Sequence, residues 1–243
     1  MNLLILGANS DIAQEIARQF ASRANASLTL ASRNLEELNR QVCDLAIRYG
    51  ISCKAVYFDA LDYGSHATFF RSLDPMPDGV AVAFGLLGKQ ETAGGDSRGA
   101  LEIIGTNYSG AVSILEIIAA DFEARREGFI IALGSVAGIR GRQSNYLYGS
   151  AKGGLQVYLS GLRNRLYKSG VRVITVLPGF VRTKMTADMQ LPKLLSAEPG
   201  AVAADIYRAY INGKDIIYSK WIWRWIMLPI RLIPEMIFKR LRL

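Results

Sequence analysis

Histidine is nearly absent: His66 stands alone among 243 residues. Chemistry that needs several imidazoles, at a metal or in a relay, is excluded, and no metal site is expected. Cysteine is scarce as well. Cys43 and Cys53 have nine residues between them, which is neither a zinc spacing nor a disulfide framework, so a reduced, cytoplasmic setting is the simpler expectation. Met1–Gly7 lacks a basic stretch and a long apolar run, and reads as a first strand rather than a signal peptide. No internal repeat or low-complexity linker divides the chain, so one domain is expected. Acids are outnumbered, 21 Asp and Glu against 29 Lys and Arg, for a net charge of +8. That balance suits nucleic acid, an anionic membrane or a phosphorylated ligand, and where the charge sits decides among them.

What is present is alternation. Leu3–Leu6, Ser27–Ala31, Ala55–Phe58, Val80–Phe84, Phe129–Leu133 and Val171–Leu177 predict buried strands. Ile12–Arg23, Leu35–Tyr49, Ala100–Arg126, Tyr146–Lys168 and Pro199–Ile211 predict helices between them. Near-continuous Val/Ile/Leu strands alternating with helices imply an α/β fold, a doubly wound parallel sheet of Rossmann type covered on both faces. Residues 1–218 form this domain, and 219–243 a basic, aromatic C-terminal arm. Gly179–Pro192 has no clear period and reads as a loop over a ligand site.

Gly7-Ala8-Asn9-Ser10-Asp11-Ile12-Ala13 joins the first strand to the first helix. The free N–H groups and positive end of that helix suit a pyrophosphate, and Gly7 permits a tight turn and close approach of backbone to ligand. A strand–turn–helix opening with glycine is common, however, and Asp11 is equally a helix cap. After the second strand, Ser32-Arg33 offers a guanidinium where NAD-binding folds usually place an acid. Such an arginine favours the 2′-phosphate of NADP over NAD, though it also reads as a surface charge. Asp59-Ala60 follows the third strand, and Asp59 either accepts from an adenine amino group or caps a turn.

Tyr148 and Lys152 lie four residues apart and share a helix face, with Ser135 thirteen residues upstream of the tyrosine. A phenol ordinarily ionises near pH 10, and a neighbouring ammonium favours its ionised form. The pair therefore predicts a Tyr148 that exchanges protons near neutral pH, with Ser135 bonding the substrate oxygen.

With these residues in order, the chain resembles the short-chain dehydrogenase/reductase family over roughly residues 1 to 220. The match runs through Gly7–Ala13, Asp59, Asn107, Ser135, Tyr148, Lys152 and Pro178-Gly179. The resemblance implies an NADP(H)-dependent oxidoreductase in which Tyr148 is the acid–base, Lys152 also binds the nicotinamide ribose, Ser135 positions the carbonyl and Asn107 holds a water in the proton relay. It further implies that Pro178, Gly179, Val181 and Thr183 face the nicotinamide. Gly7, Asn9, Ser10, Asp11, Ile12, Ser32, Arg33, Asp59, Ala60, Ala83, Phe84 and Gly85 would line the rest of the cofactor site. A homodimer or homotetramer through Ala100–Arg126 and Tyr146–Lys168 follows from the same likeness. Two family glycines are replaced by Asp11 and Ala13, and an acid beside a pyrophosphate repels it unless its carboxylate is committed to capping.

Four segments narrow the resemblance. Gly7-x-x-Ser10-Asp11-Ile12-Ala13, Ala83-Phe84-Gly85-Leu86-Leu87-Gly88, Ser135-Val136-Ala137-Gly138 with Arg140 and Arg142 after it, and Ile233-Pro234-x-x-Ile237-Phe238-x-x-Leu241 are similar to the decaprenylphosphoryl-2-keto-erythropentose reductases. That group reduces a 2-keto sugar on a polyprenyl phosphate, which implies a lipid-linked keto substrate in cell-wall or polysaccharide synthesis. Reduction of another lipophilic carbonyl, and a non-catalytic NADP-sensing scaffold, are the alternatives. The arm holds all three tryptophans, and from Tyr218 onward six basic residues and one acid. Arg224, Pro229 and Arg231 interrupt it too often for a spanning helix. It reads as an interfacial segment on the inner face of the membrane or as a subunit contact, and no nucleic-acid motif accompanies it.

Overall fold

The computed structural model describes residues 1–88 and 97–241. Seven strands make one parallel sheet in the order β3-β2-β1-β4-β5-β6-β7. They are β1 (Asn2–Leu6), β2 (Ser27–Ser32), β3 (Cys53–Tyr57), β4 (Gly79–Val82), β5 (Phe129–Leu133), β6 (Arg172–Pro178) and β7 (Ile216–Ser219). Because side chains alternate across a strand, β1 sends Leu3 and Ile5 to one face and Leu4 and Leu6 to the other. On the first face they meet α1 (Asp11–Ala24), α2 (Leu35–Tyr49) and α7 (Pro199–Ile211), through residues such as Phe20, Leu38 and Ile206. On the second they meet α3 (His66–Arg71), α5 (Gly110–Arg125) and α6 (Tyr146–Leu166), through Phe70, Phe122 and Leu159.

The helix expected over 100–126 begins earlier, as α4 (Ser97–Ile104), and passes into α5 through one wide turn at Gly105–Ser109. This 97–125 run is long and apolar enough to cross a membrane, yet Ile114, Leu115, Ile118 and Phe122 are fully buried against the sheet, so it is a core helix. His66 is likewise structural: its imidazole meets Ser113 Oγ at 2.9 Å and the Asp59 carbonyl at 3.0 Å.

The arm packs on the domain instead of forming a separate unit. Ser219 closes the seventh strand, which moves the expected boundary by one residue. Helices α8 (Ile222–Leu232) and α9 (Glu235–Phe238) follow, α8 continuing through Pro229. Trp223 and Met227 bury themselves against Val136 and Leu177. Arg140 fastens the far end, donating to the carbonyls of Arg231 at 3.0 Å and Ile233 at 2.9 Å, pairing with Glu235, and lying 4.1 Å from the Phe238 ring. Arg242 and Leu243 of the expected arm lie outside the described residues.

Replacing Phe122 by Ala is expected to lower stability by about 3–5 kcal/mol, the usual loss for emptying a fully buried aromatic site. Urea unfolding measures it, and a loss under about 1 kcal/mol would show that this face of the sheet is loosely packed.

Candidate active site

Strand order reverses between β1 and β4, so a crevice opens at the carboxyl ends of the strands. Two adjoining cavities lie there. The larger, about 290 Å³, is lined by Asn9, Ser10, Asp11 and Ile12 at one end, by Ala83, Phe84 and Gly85 in the middle, and by Ser135, Tyr148, Lys152, Pro178, Gly179, Val181 and Thr183 at the other. The smaller, about 150 Å³, is lined by Gly7, Ser32, Arg33, Asp59 and Ala60 and shares Phe84 and Gly85. Of the residues expected at the site, Asn107 alone lies on neither wall.

The reactive end is set by β5 and α6. Gly134 N–H donates to Val176 O at 2.8 Å and keeps the chain in register just past β5. Ser135 then accepts from Ala137 N–H at 3.1 Å through its Oγ, which leaves its own hydroxyl proton free to point at a ligand. Tyr148 lies within hydrogen-bonding reach of Ser135. One turn on, Lys152 is buried, its Nζ donating to Leu133 O at 2.8 Å and lying 5.9 Å from the Tyr148 ring centre.

The ionisation differs from the expectation. Desolvation pushes the Tyr148 phenol up to about 12, against a smaller opposing pull from Ser135. It pulls the Lys152 ammonium down to about 8. Burial thus dominates both shifts: it favours the protonated phenol and draws the lysine down toward the range in which it exchanges a proton. A protonated phenol is what a proton donor requires.

This sheet, crevice and Ser–Tyr–Lys geometry coincide with a family match: the short chain dehydrogenase model covers residues 1–193. The chain belongs to the short-chain dehydrogenase family. An uncharacterized oxidoreductase of Mycobacterium tuberculosis is 39% identical over 242 residues, covering 98% of this chain and 96% of that protein. Another, of Streptomyces coelicolor, is 33% identical, covering 99% and 95%. Among solved structures, a Sphingobium yanoikuyae short-chain dehydrogenase in complex with NADPH superposes with a TM-score of 0.83 at 21% identity, covering 96% of each chain. Actinorhodin polyketide ketoreductase with NADPH gives 0.78 at 19%, covering 90% of this chain and 96% of the other.

As a short-chain dehydrogenase the chain departs from expectation at several residues. Asn107 is buried in the wide turn, its amide donating to Leu86 O at 2.6 Å and Ile103 O at 2.9 Å while its Oδ1 accepts from Leu86 N–H at 3.2 Å. Both amide protons are taken by backbone carbonyls, so the side chain positions the 85–87 loop, where an added Cβ on Gly85 would come within 2.9 Å of Asn107 Oδ1. Asp11 does not cap its helix either. Ser10 does so, through Ala13 N–H at 3.2 Å. The Asp11 carboxylate instead accepts from Lys184 N–H at 2.6 Å, tethering the Gly179–Pro192 segment to α1 and committing the charge that would oppose a pyrophosphate. Gly7, at φ +78°, is needed because a Cβ would collide with the Phe84 backbone, and Gly179 because a Cβ would overlap Trp223. Asp59 caps its own turn through Leu61 N–H at 3.0 Å.

The groove fits a dinucleotide. The open N-terminus of α1 lies at its middle, the glycine-lined floor at Gly85 leaves room beside Lys152, and the exposed Arg33 guanidinium has no carboxylate partner among the described residues. The wall of the larger cavity also carries Arg142, which the sequence marked only through the narrower resemblance, and Asn145, Phe180, Met185, Met189 and Trp223, which it did not single out as site residues. The first two lie in the interval between Ser135 and Tyr148, which the spacing argument treated as a spacer.

Asp11→Ala is expected to speed hydrogen exchange at Lys184 by about tenfold or more, since a hydrogen bond to a charged group contributes about 1.5–3 kcal/mol. Asp11→Asn, which keeps an acceptor oxygen, should stay near wild type; equal exchange in all three would remove the tether.

Proposed function

We propose that the protein is an NADPH-dependent ketoreductase whose substrate is the 2-keto pentose of a polyprenyl phosphate, reduced at the cytoplasmic face of a membrane during cell-wall or polysaccharide synthesis. The observation that carries the reaction is the placing of Ser135, Tyr148 and the buried Lys152 together on one cavity wall, with the phenol within hydrogen-bonding reach of the serine. Bound NADPH supplies the hydride. Ser135 donates its hydroxyl proton to the carbonyl oxygen and holds it, Tyr148 gives up its proton as that oxygen gains charge, and Lys152 returns one to the phenolate. Arg33 offers its guanidinium to the 2′-phosphate, which supports NADP over NAD. The NADPH-bound structures of similar fold support the same choice.

The lipid part of the reading rests on the arm. Phe180, Met185, Met189 and Trp223 make the cavity mouth apolar. Outside it, Trp221, Trp225, Leu228 and Leu232 recur at helical spacing and are exposed, while Trp223 on the opposite side is 4% exposed. Lys220, Arg224 and Arg231 lie along the same stretch. An exposed apolar stripe with basic neighbours suits the headgroup region of an anionic leaflet, where only the sugar need reach Tyr148. Pairing with a second copy through α5 and α6 belongs to the same reading.

Single-turnover oxidation of NADPH with keto-sugar and keto-lipid panels tests the reaction. The lipid-phosphate ketopentose is expected to turn over best; preference for a plain keto-lipid would replace this substrate. Tyr148→Phe should lose about 10²–10⁴-fold in rate with NADPH affinity held. The rate should be level below about pH 8 and fall above it as Lys152 deprotonates; a profile level well past that point would remove Lys152 as proton source. For the arm, the triple substitution Trp225→Ser, Leu228→Ser, Leu232→Ser is expected to abolish co-flotation with phosphatidylglycerol vesicles while leaving turnover of a soluble ketone intact. Unchanged flotation would refute membrane docking.

A further inference from the structure

Two arginines stand two residues apart after Ser135, and their surroundings are opposite. Arg140 is saturated by the arm, with Glu235 and two carbonyls as partners. Arg142 lines the larger cavity, and among the described residues its guanidinium has no hydrogen-bond or ion-pair partner; its Nε is buried and unpaired. Arg163 shows what a partly buried arginine in this protein otherwise looks like: it donates to Val173 O, Thr175 Oγ1 and Asp215 O. Desolvation alone acts on Arg142 and weakens its hold on its proton, but a guanidinium does not give that proton up. An unpaired, partly desolvated cation is costly unless a ligand completes it.

Its environment selects the sign and shape of that ligand. Among the described residues the sole carboxylate on the cavity wall is Asp11, which is bonded to Lys184 N–H. Asn145, three residues on, precedes α6; its side chain makes no cap, and its Oδ1 is buried without a donor. The first turn of α6 has no acid, so the positive end of a 21-residue helix adds to the field of Arg142. The result is one forked cationic donor and one orphaned acceptor, on the same wall as Tyr148.

We propose that Arg142 seats a phosphate ester of the substrate and that Asn145 Oδ1 accepts from a substrate hydroxyl, so that this wall selects a phosphorylated polyhydroxy carbonyl compound and holds its carbonyl against Tyr148. A guanidinium meets phosphate oxygens through two parallel N–H bonds, which orients the ester as well as attracting it. The inference rests on the proposed placing of substrate in this cavity and deepens it, by naming the residue that discriminates lipid phosphate from neutral lipid.

Calorimetric binding to the NADP⁺-saturated full-length protein tests it, with farnesyl phosphate and farnesol as probes. Wild type is expected to prefer the phosphate by about 10- to 100-fold, Arg142→Gln to lose that preference, and Arg142→Lys to keep most of it, with NADP⁺ affinity unchanged throughout. Equal affinity for the two probes in wild type, no binding of either, a preference surviving in Arg142→Gln, or a parallel loss of NADP⁺ affinity would each overturn the assignment. Should Arg142→Gln fail to fold, the wild-type ratio and Arg142→Lys still decide. A phosphate preference in a protein that turns over no keto sugar would leave the anion seat standing and remove the substrate proposed above.

Discussion

Lys152 sits almost without solvent behind the end of β5, and its Nζ finds Leu133 O at 2.8 Å. Stripping water from an ammonium favours its neutral form, and the same dry surroundings favour the neutral form of the phenol one turn earlier. The two groups therefore stand one helical turn apart, the phenol favoured in its protonated form and the lysine drawn toward the range in which it exchanges a proton. The rest of the domain serves this arrangement. Leu133 and Ser135 are delivered by a central strand paired on both sides, and the helix carrying Tyr148 and Lys152 is anchored by Leu155, Leu159 and Leu162 on the buried face.

The sheet was legible because its strands are buried on both faces. Six apolar runs marked six strands, with no boundary off by more than two residues, and α2 and α7 were delimited by Asn34, Gly50 and Pro199, whose conformational preferences act locally. The seventh strand was not legible. Ile216–Ser219 lies at the sheet edge, largely uncovered, and leads straight into an aromatic stretch whose composition dominates any window laid over it. Tertiary burial, absent from local pattern, decides such an element.

At the site, residue types and spacing pointed to the right wall but not to the state of the groups on it. An i, i+4 Tyr and Lys shows that two side chains share a face; it does not show that the intervening space is dry, and dryness reverses the sign of the expected phenol shift. Asn107 and Asp11 hold partners that the sequence does not show, for a related reason. Each offers a polar atom that a ligand can use, and each is taken by a backbone group far away in sequence: Leu86 for the asparagine, Lys184 for the aspartate. Such partners become visible when the loops are folded together.

The arm and the cavity are coupled through a single backbone position. Gly179 lacks the Cβ that would strike Trp223, so the indole lies flat over the chain just after β6, donates to Leu195 O at 3.1 Å and meets the Phe180 ring edge-on. One side of α8 thus forms part of the wall facing Tyr148, while its other side presents Trp225, Leu228 and Leu232 outward. Both faces belong to the same short helix, held at its end by Arg140. Whatever engages the exposed stripe therefore touches the same short helix that supplies Trp223 to the wall of the cavity.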